Sequence, residues 1–418
     1  MPQYLSPGVY VEEVPSAVKA IAGVSTSTPG FIGIVPNKIH LVARKEPTTA
    51  DTSTTKLVNF NIPTPAGKPL LITNWTQFTK AFGDLIGDET VAATTDPTPA
   101  IDAGHRNLAQ AVYGFFNNGG SRCHVVRVLD ETGIDAALKV FSAIDEIAIV
   151  AAPGILDDAV RDKIVTHCRL TGDRFAIFDG PETAEDMTTL TKIAADSGVM
   201  PNKTDLAAWY FPWIRVFDPA TKMAAPKGDG SISVPPSGHL AGIYARVDNQ
   251  RGVHKAPANE AIAGALNVTQ RLSKADQDGL NIKGVNCIRV LNDQILVWGA
   301  RTVGGEGNAD LKYINVRRTL LFLRESIDEG TQWVVFEPNT PGLWQKITRN
   351  VTAFLTNVWR SGALFGNTPQ EAFYVKCDAE TNPPELRELG QVVTEIGVAI
   401  VRPAEFVIFR ISQMAQTK

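Results

Sequence analysis

The sequence predicts an α/β protein of mixed, α+β character, and a β-α-β unit in the first half is the main evidence. IAIVA at 147–151 and RFAIF at 174–178 are short apolar runs typical of buried strands. Between them Asp157 or Asp158 caps a helix that carries its apolar residues at helical spacing. A strand, a helix and a strand at this spacing predict a parallel pair with a right-handed crossover.

Helical spacing predicts three more helices. The first spans 107–118 and ends at Gly119 and Gly120, after which CHVVRVL forms a strand. An earlier strand is GFIGIV at 30–35. The two later helices have apolar stripes, namely Val316, Leu320, Leu323 and Ile327, then Trp344, Ile347, Val351, Phe354, Leu355 and Val358.

Three segments lack a regular pattern. In residues 1–20 two prolines bracket GVYVEEV, which suits an edge strand or a detached arm because proline cannot donate to a ladder. Residues 37–69 are rich in Thr, Pro, Lys and Asp, and we interpret them as a loop-rich insertion with one hairpin. Residues 200–240 are rich in Pro, Gly, Lys and Asp and predict a loop or domain junction.

Composition excludes several classes of protein. The chain has 418 residues, 44% of them hydrophobic and 20% charged, which allows a sizeable core and two or three domains. A net charge of -4 argues against a partner nucleic acid, which basic proteins bind by neutralising phosphates. The four cysteines are far apart and form no CxxC pair, as in reduced cytosolic proteins. We expect no signal peptide and no membrane insertion.

Motifs for catalysis are missing from the sequence. It contains no GxxxxGK[ST], GxGxxG after a strand, HExxH or GxSxG motif, and its six histidines do not cluster. Asp179 follows the second strand of the β-α-β unit, where α/β enzymes place site residues, but a turn aspartate before Gly180 explains it as well. Gly304, Gly305 and Gly307 indicate a flexible surface loop in preference to a phosphate cradle. We therefore predict no cofactor and no metal.

The C-terminal half contains a series of distinctive strings in a fixed order. They are GHLAGIYARVDNQRGVHKAPAN (238–259), VWGARTV (297–303), YINVRRTLLFLRESI (313–327), TQWVVFEPNTPGLW (331–344), FLTNVWRSGALFG (354–366), FYVKCD (373–378) and GVAIVRPAEFVIFRI (397–411). YLSPGVYVEEVPS, TPGFIGIVP and FFNNGGSRCHVVRV (115–128) precede them. Together they resemble the contractile tail sheath proteins of phages, R-type pyocins and extracellular injection systems. Residues 37–70 and 185–235 match poorly.

The resemblance implies a domain organisation. An inner, tube-facing α/β domain combines the N-terminal segment with the C-terminal region, and an outer α/β domain and extended N- and C-terminal β-arms complete the subunit. The expected boundaries are 1–20 for the N-terminal arm, 21–238 for the outer domain with insertions around 37–70 and 185–235, 239–403 for the conserved inner domain and 404–418 for the C-terminal arm.

The resemblance also implies a function and partners. Copies of the chain would polymerise as stacked six-membered rings around an inner tube, and the sheath would shorten to drive that tube through a target envelope. Further partners would be baseplate and terminator or cap proteins, with no nucleic acid bound directly. Assembly would take place in the cytoplasm, as part of a virion or of a released phage-tail-like particle.

The arms are expected to add strands to sheets of neighbouring subunits. The N-terminal arm offers Val9, Tyr10, Val11, Glu12, Glu13 and Val14. In the C-terminal run from Glu405 to Ser412, alternation places Phe406, Ile408 and Arg410 on one face and Val407, Phe409 and Ile411 on the other. A strand within the subunit's own sheet is the alternative for this run.

A basic helix face is the candidate contact to the tube. Between Pro338 and Gln370 there are three basic residues, Lys346, Arg349 and Arg360, and no acidic one. All three fall off the apolar stripe of their helix, so they either form a solvated face or touch an acidic stripe on the tube. The next candidate is the cluster Arg317, Arg318 and Arg324.

Two other functions are compatible with the sequence. An α/β enzyme built on the β-α-β unit would need a pocket with shifted pKa values at its strand ends. A tube or baseplate component of the same machine is the second alternative, although tube subunits of this family are shorter and all-β.

Overall fold

The computed structural model of the protein describes residues 20–43, 56–88, 90–95 and 100–408, which divide into two compact units. The large unit contains the described residues from Val24 to Glu325 and those from Ile400 onwards. The small unit contains the described residues up to Gly23 and those from Ser326 to Ala399.

The large unit combines strands and helices throughout, as predicted. Its strands are β1 (Pro29–Ile34), β2 (Lys38–Val42), β3 (Leu57–Asn61), β4 (Leu70–Ile72), β5 (Cys123–Val128), β6 (Ile149–Ala151), β7 (Phe175–Asp179), β8 (Ala207–Phe211), β9 (Ile214–Phe217), β10 (Ser231–Val234), β11 (Glu260–Ala261), β12 (Ala265–Val268), β13 (Val285–Leu291) and β14 (Gln294–Trp298). Its helices are α1 (Trp75–Phe82), α2 (Ala103–Asn117), α3 (Ile134–Phe141), α4 (Asp158–Thr171), α5 (Pro219–Ala224), α6 (Ser237–Arg251) and α7 (Lys274–Ile282). Helix α8 (Ile314–Thr331) begins in the large unit and ends in the small one.

A nine-stranded sheet organises the described part of the large unit, in the order β11-β14-β13-β8-β7-β6-β1-β5-β4. The six strands from β13 to β5 pair in parallel, and the strands outside them pair antiparallel. Every residue of β5, β6, β7 and β8 is buried, as expected for parallel strands covered on both faces. The predicted β-α-β unit is confirmed as β6-α4-β7, with Ile149 opposite Phe175.

Strand β8 corrects the interpretation of residues 200–240 as a loop or domain junction. β8 lies inside the sheet between β7 and β13, so it belongs to the core of the large unit. A single short apolar run, LAAWYF at 206–211, marks the strand in sequence. Proline, glycine and lysine residues on both sides of that run conceal it from a composition-based prediction.

The predicted domain boundary at 239 does not coincide with the division between the compact units. β13 pairs with β8, with Val285 opposite Trp209, so strands from both sides of residue 239 complete one sheet. Helix α6 also crosses the boundary and packs on α2. A Cβ atom added at Gly238 would lie 2.4 Å from the Cβ of Ala111, so this helix pair needs glycine at the contact.

The hairpin predicted within 37–69 is confirmed, since β2 and β3 pair antiparallel. The helix predicted over 107–118 is α2, which begins earlier because the Asp102 carboxylate accepts a hydrogen bond from the His105 amide at 2.5 Å. The glycine loop at 304–307 is packed at Gly305, contrary to the prediction of a flexible surface loop, whereas Gly307 is exposed. Gly305 is buried, and a Cβ there would lie 2.3 Å from the Ile282 carbonyl oxygen.

The small unit is built on one long helix and a two-stranded sheet. Its elements after α8 are α9 (Pro341–Arg360), α10 (Pro369–Ala372), β15 (Phe373–Lys376), α11 (Pro384–Glu388) and β16 (Glu395–Val398). The apolar stripe predicted for α9 is confirmed, because all six of its predicted members are buried. Thr340 caps the helix and Pro341 occupies its first turn, where a missing N–H costs nothing.

Candidate assembly surfaces

Helix α9 carries exposed cations on the side opposite its buried stripe. Lys346, Arg349 and Arg360 are all exposed. At about 100° per residue, the eleven steps from residue 349 to residue 360 make about three turns, so the two arginines lie in line roughly 16 Å apart along the axis. Lys346 precedes Arg349 by one turn. The arrangement is a stripe of positive charge suited to a long, straight partner surface.

The surroundings of this stripe leave it available for a partner. Ala353 and Asn357, the exposed residues between the two arginines, are uncharged. Within the described residues none of the three cations forms an ion pair. Arg349 also lines a groove of about 670 Å³ between α9 and the segment 375–378. These observations fit an intermolecular contact, and they fit a solvated face equally well.

The alternative basic cluster on α8 is corrected by the structure. Arg318 is 3% exposed and pairs with Asp248, and Arg317 is partly buried and pairs with Asp205 at 3.1 Å. Burial acts to lower the pKa of Arg317, and Asp205 acts in the opposite direction. Arg324 alone is exposed. This cluster therefore does not form a continuous basic surface, because two of its members are tied into the large unit.

The sheet of β15 and β16 has edges without a partner among the described residues. The two strands pair antiparallel, with Tyr374 opposite Gly397 and Val375 opposite Ile396. Two-stranded sheets are marginally stable, and unpaired edges are templates for strand addition. The Tyr374 ring covers Gly397, where a Cβ would lie 2.1 Å from it, and Tyr374 is 58% exposed. This sheet is a candidate acceptor for an added strand.

The C-terminal segment shows no strand over its described residues, 401–408. Phe406, Val407 and Ile408 are 71%, 69% and 78% exposed. Three consecutive exposed apolar side chains cannot be explained by alternation against the subunit's own sheet. The remaining arm candidates, Val9 to Val14 together with Phe409, Arg410 and Ile411, lie outside the described residues.

Glu405 makes contacts that its sequence context does not predict. Its carboxylate accepts hydrogen bonds from Arg301, Tyr313 and Asn281 immediately before the exposed run. The signal available in the sequence was weak, since it consists of a charged residue in each of the apolar strings VWGARTV and RPAEF.

Asp179 has the raised pKa that an enzyme site would show, yet its surroundings are structural. Burial raises the pKa of Asp179 to about 6, and hydrogen bonds from Gly154 and Ser237 act against that rise. The carboxylate is 2% exposed and accepts from the amides of Gly154 and Ser237 and from the Ser237 hydroxyl. It joins the end of β7 to the start of α6, which is more than the turn role the sequence indicates.

Metal sites and membrane-spanning helices are both lacking among the described residues. No group of His, Cys, Asp or Glu side chains in the described ranges is arranged to hold a metal ion. Among the described helices, none combines the length and the apolar character that crossing a bilayer requires.

Comparisons with known families define the class of protein. Residues 131–303 match the phage tail sheath protein central domain, and residues 306–414 match the phage tail sheath C-terminal domain. The chain is thus a structural subunit of a contractile, phage-tail-like sheath. It belongs to the phage tail sheath protein family, as the sequence resemblance predicted.

Individual relatives agree with this assignment. A putative prophage major tail sheath protein of Pseudomonas aeruginosa is 25% identical over 230 residues, which are 50% of this chain and 55% of that protein. The chain thus spans about half the length of the curated relatives it matches first. The sheath complex of the extracellular contractile injection system PVC, in its contracted state, is 27% identical with a TM-score of 0.70 and 99% coverage of both chains. A chain of the anti-feeding prophage baseplate is 26% identical with a TM-score of 0.69, covering 99% of this chain and all of that one.

Proposed function

We propose that copies of this chain polymerise as stacked six-membered rings around an inner tube, and that contraction of this sheath drives the tube through a target envelope. The similarity to sheath structures in the contracted state, over nearly the whole chain, supports the proposal. Similarity of this extent to the PVC and anti-feeding prophage chains favours an extracellular injection particle over a phage tail.

The observation that carries the proposal is the exposed apolar run of Phe406, Val407 and Ile408. Such a run costs solubility in a lone subunit and is covered when a partner binds it. The sheet of β15 and β16 offers main-chain donors and acceptors at its edges, so the arm of one copy would extend the sheet of another. Ladder hydrogen bonds of this kind persist while subunits pivot. The N-terminal arm, with Val9 to Val14, is assigned the same role.

The cation stripe of α9 is assigned to the tube. Lys346, Arg349 and Arg360 would face an acidic stripe on the tube surface. Exposed ion pairs contribute about 0–1 kcal/mol each, which suits a sheath that releases its tube on firing. Repetition over many copies would still set the register between the sheath and the tube.

We assign no catalytic role to the chain. Energy for contraction would come from interfaces formed between subunits, with no cofactor. The expected partners are copies of the chain, the tube protein, the baseplate and a terminator or cap protein, with no nucleic acid bound directly and no membrane insertion. Assembly would occur in the cytoplasm.

Truncation after Glu405 tests the proposal, because it removes the exposed run and retains the contacts of Glu405. We expect a folded monomer that no longer forms sheaths when it is co-expressed with its tube protein. Replacing the isolated exposed residue Leu170 by Ser is the control, and it should leave assembly unchanged. Sheaths of normal length from the truncated chain, seen by electron microscopy, would contradict strand addition.

A further inference from the structure

The carboxylate of Glu405 accepts four hydrogen bonds within the large unit. We refer to its donors, Arg301, Asn281 and Tyr313, as the Glu405 clamp. Its Oε1 accepts from Nε of Arg301 at 2.8 Å and from Nδ2 of Asn281 at 2.6 Å. Its Oε2 accepts from Nη2 of Arg301 at 2.8 Å and from the Tyr313 hydroxyl at 2.9 Å. This is a bidentate arginine–carboxylate pair with two further donors, the strongest class of side-chain hydrogen bonding in proteins.

Neighbouring groups hold Arg301, the main donor of the clamp, in place. The Arg301 side chain is 2% exposed, and its Nη1 also pairs with Glu306 at 2.9 Å and donates to the Asn281 carbonyl. Burial acts to raise the pKa of Glu405, but the hydrogen bonds from Arg301, Asn281 and Tyr313 outweigh burial and hold that pKa below its ordinary value. Glu405 is therefore ionised at neutral pH, and the pair is complete.

Side-chain exposure rises abruptly immediately after Glu405. The three residues that follow Glu405 are largely exposed, whereas the Glu405 side chain is only 19% exposed. Before Glu405, the carbonyl of Val401 accepts from Nδ2 of Asn315 at 3.1 Å. Arg402 pairs with Asp310, but both of those side chains are more than half exposed, so that pair contributes little.

We propose that Glu405 is a positioning residue for assembly: its clamp fixes the point at which the C-terminal arm leaves the subunit, so the arm begins at Phe406. The inference rests on the proposed exchange of arms with a second copy of this chain. The inference names the residue at which the arm starts, because strand addition alone does not specify that residue.

Loss of the clamp would lengthen the part of the chain that is not anchored to the subunit. The next hydrogen-bonded anchor is the partly buried Val401, four residues before Glu405, and an extended chain gains about 3.3 Å per residue. The arm would then start roughly 13 Å earlier along the chain. Longer flexible connections lower the effective concentration of a tethered segment at its target and relax its register.

Chymotrypsin cleavage after Phe406 measures the clamp in the monomer, because the protease must draw residues 403–406 into its cleft. The variants are Glu405→Gln, which removes the charge, and Tyr313→Phe, which removes one donor and keeps the ion pair. We expect cleavage to accelerate on the order of ten- to hundred-fold for Glu405→Gln and about fivefold for Tyr313→Phe, since proteolysis follows the open population. Arg402→Gln is the matched control and should leave the rate unchanged.

Sheath formation with the tube protein, measured by electron microscopy, is the second readout. We expect Glu405→Gln to form fewer and shorter sheaths, Tyr313→Phe to be intermediate and Arg402→Gln to assemble normally. Unchanged cleavage in Glu405→Gln overturns the proposal, and so does faster cleavage with normal sheaths. Normal assembly of the chain truncated after Glu405 would instead remove the proposed function, while the cleavage rates would still report the clamp.

Discussion

Arg318 and Asp248 form a buried bidentate ion pair in the large unit, with Nη2 of Arg318 2.6 Å from Oδ2 of Asp248 and both side chains 3% exposed. The same guanidinium donates to the Thr26 carbonyl and lies over the Tyr244 ring at 4.7 Å. It thereby joins α8, α6 and the segment before β1. Because its side chain is buried and paired, Arg318 is not available to contact a tube.

Replacing Arg318 by Gln should lower the free energy of unfolding by about 3–5 kcal/mol, because Asp248 is left buried without its partner. Urea denaturation followed by circular dichroism measures the change. Arg324→Gln, on the exposed side of the same helix, is the control and should stay within about 0.5 kcal/mol of the unmodified chain. Equal effects of the two substitutions would show that the buried pair contributes no stability of its own.

Replacing Asp179 by Asn should destabilise the large unit by about 1–3 kcal/mol, since the amide group presents N–H donors to the donors of Gly154 and Ser237. The folded pKa of about 6 lies above the ordinary value of 3.8, so the folded chain binds the proton more tightly. Stability from this group is greatest at low pH and is lost as pH rises towards 6. The deficit of Asp179→Asn should therefore be larger at pH 5 than at pH 7, and a pH-independent deficit would contradict this account.

Two buried histidines should make the protein sensitive to acid. Burial lowers the pKa values of His105 and His239 to about 4, from an ordinary value of 6.5. Between these values the unfolded chain binds more protons, so stability is full above about pH 6.5 and is lost as the pH falls towards 4. His105→Gln and His239→Gln should each flatten the dependence of the unfolding free energy on pH in that window. A slope that neither substitution changes would assign the acid sensitivity to other groups.

Changing Lys346, Arg349 and Arg360 together to Glu should abolish extended sheath around the tube and leave the subunit folded, because all three side chains are exposed. Tube-free, contracted sheath should still form. The ratio of extended to contracted sheaths after co-expression with the tube protein, counted by electron microscopy, measures the effect.

The matched control for α9 reverses three exposed cations elsewhere, Lys139, Arg169 and Lys274, with the same change in net charge. It should leave the ratio of extended to contracted sheaths unaltered. If both triple variants lower that ratio equally, net charge is responsible and α9 is not a specific contact.

The sequence alone predicted those features that depend on local periodicity. The stripe of α9 repeats apolar residues at helical spacing, and the β6-α4-β7 unit consists of two short apolar runs on either side of a helix with its own apolar spacing. Neighbours along the chain determine both patterns. The family resemblance likewise depends on strings of adjacent residues.

Tertiary structure alone decided which distant segments meet. β8 is recognised as a core strand only because β7 and β13 flank it, and residues 239–325 join the large unit only because β13 pairs with β8. Arg318 looks like a surface cation in sequence, and its partner Asp248 is 70 residues away. Arg301 and Glu405 are 104 residues apart. Burial and pairing are properties of segments brought together by folding, and neither composition nor spacing encodes which segments those will be.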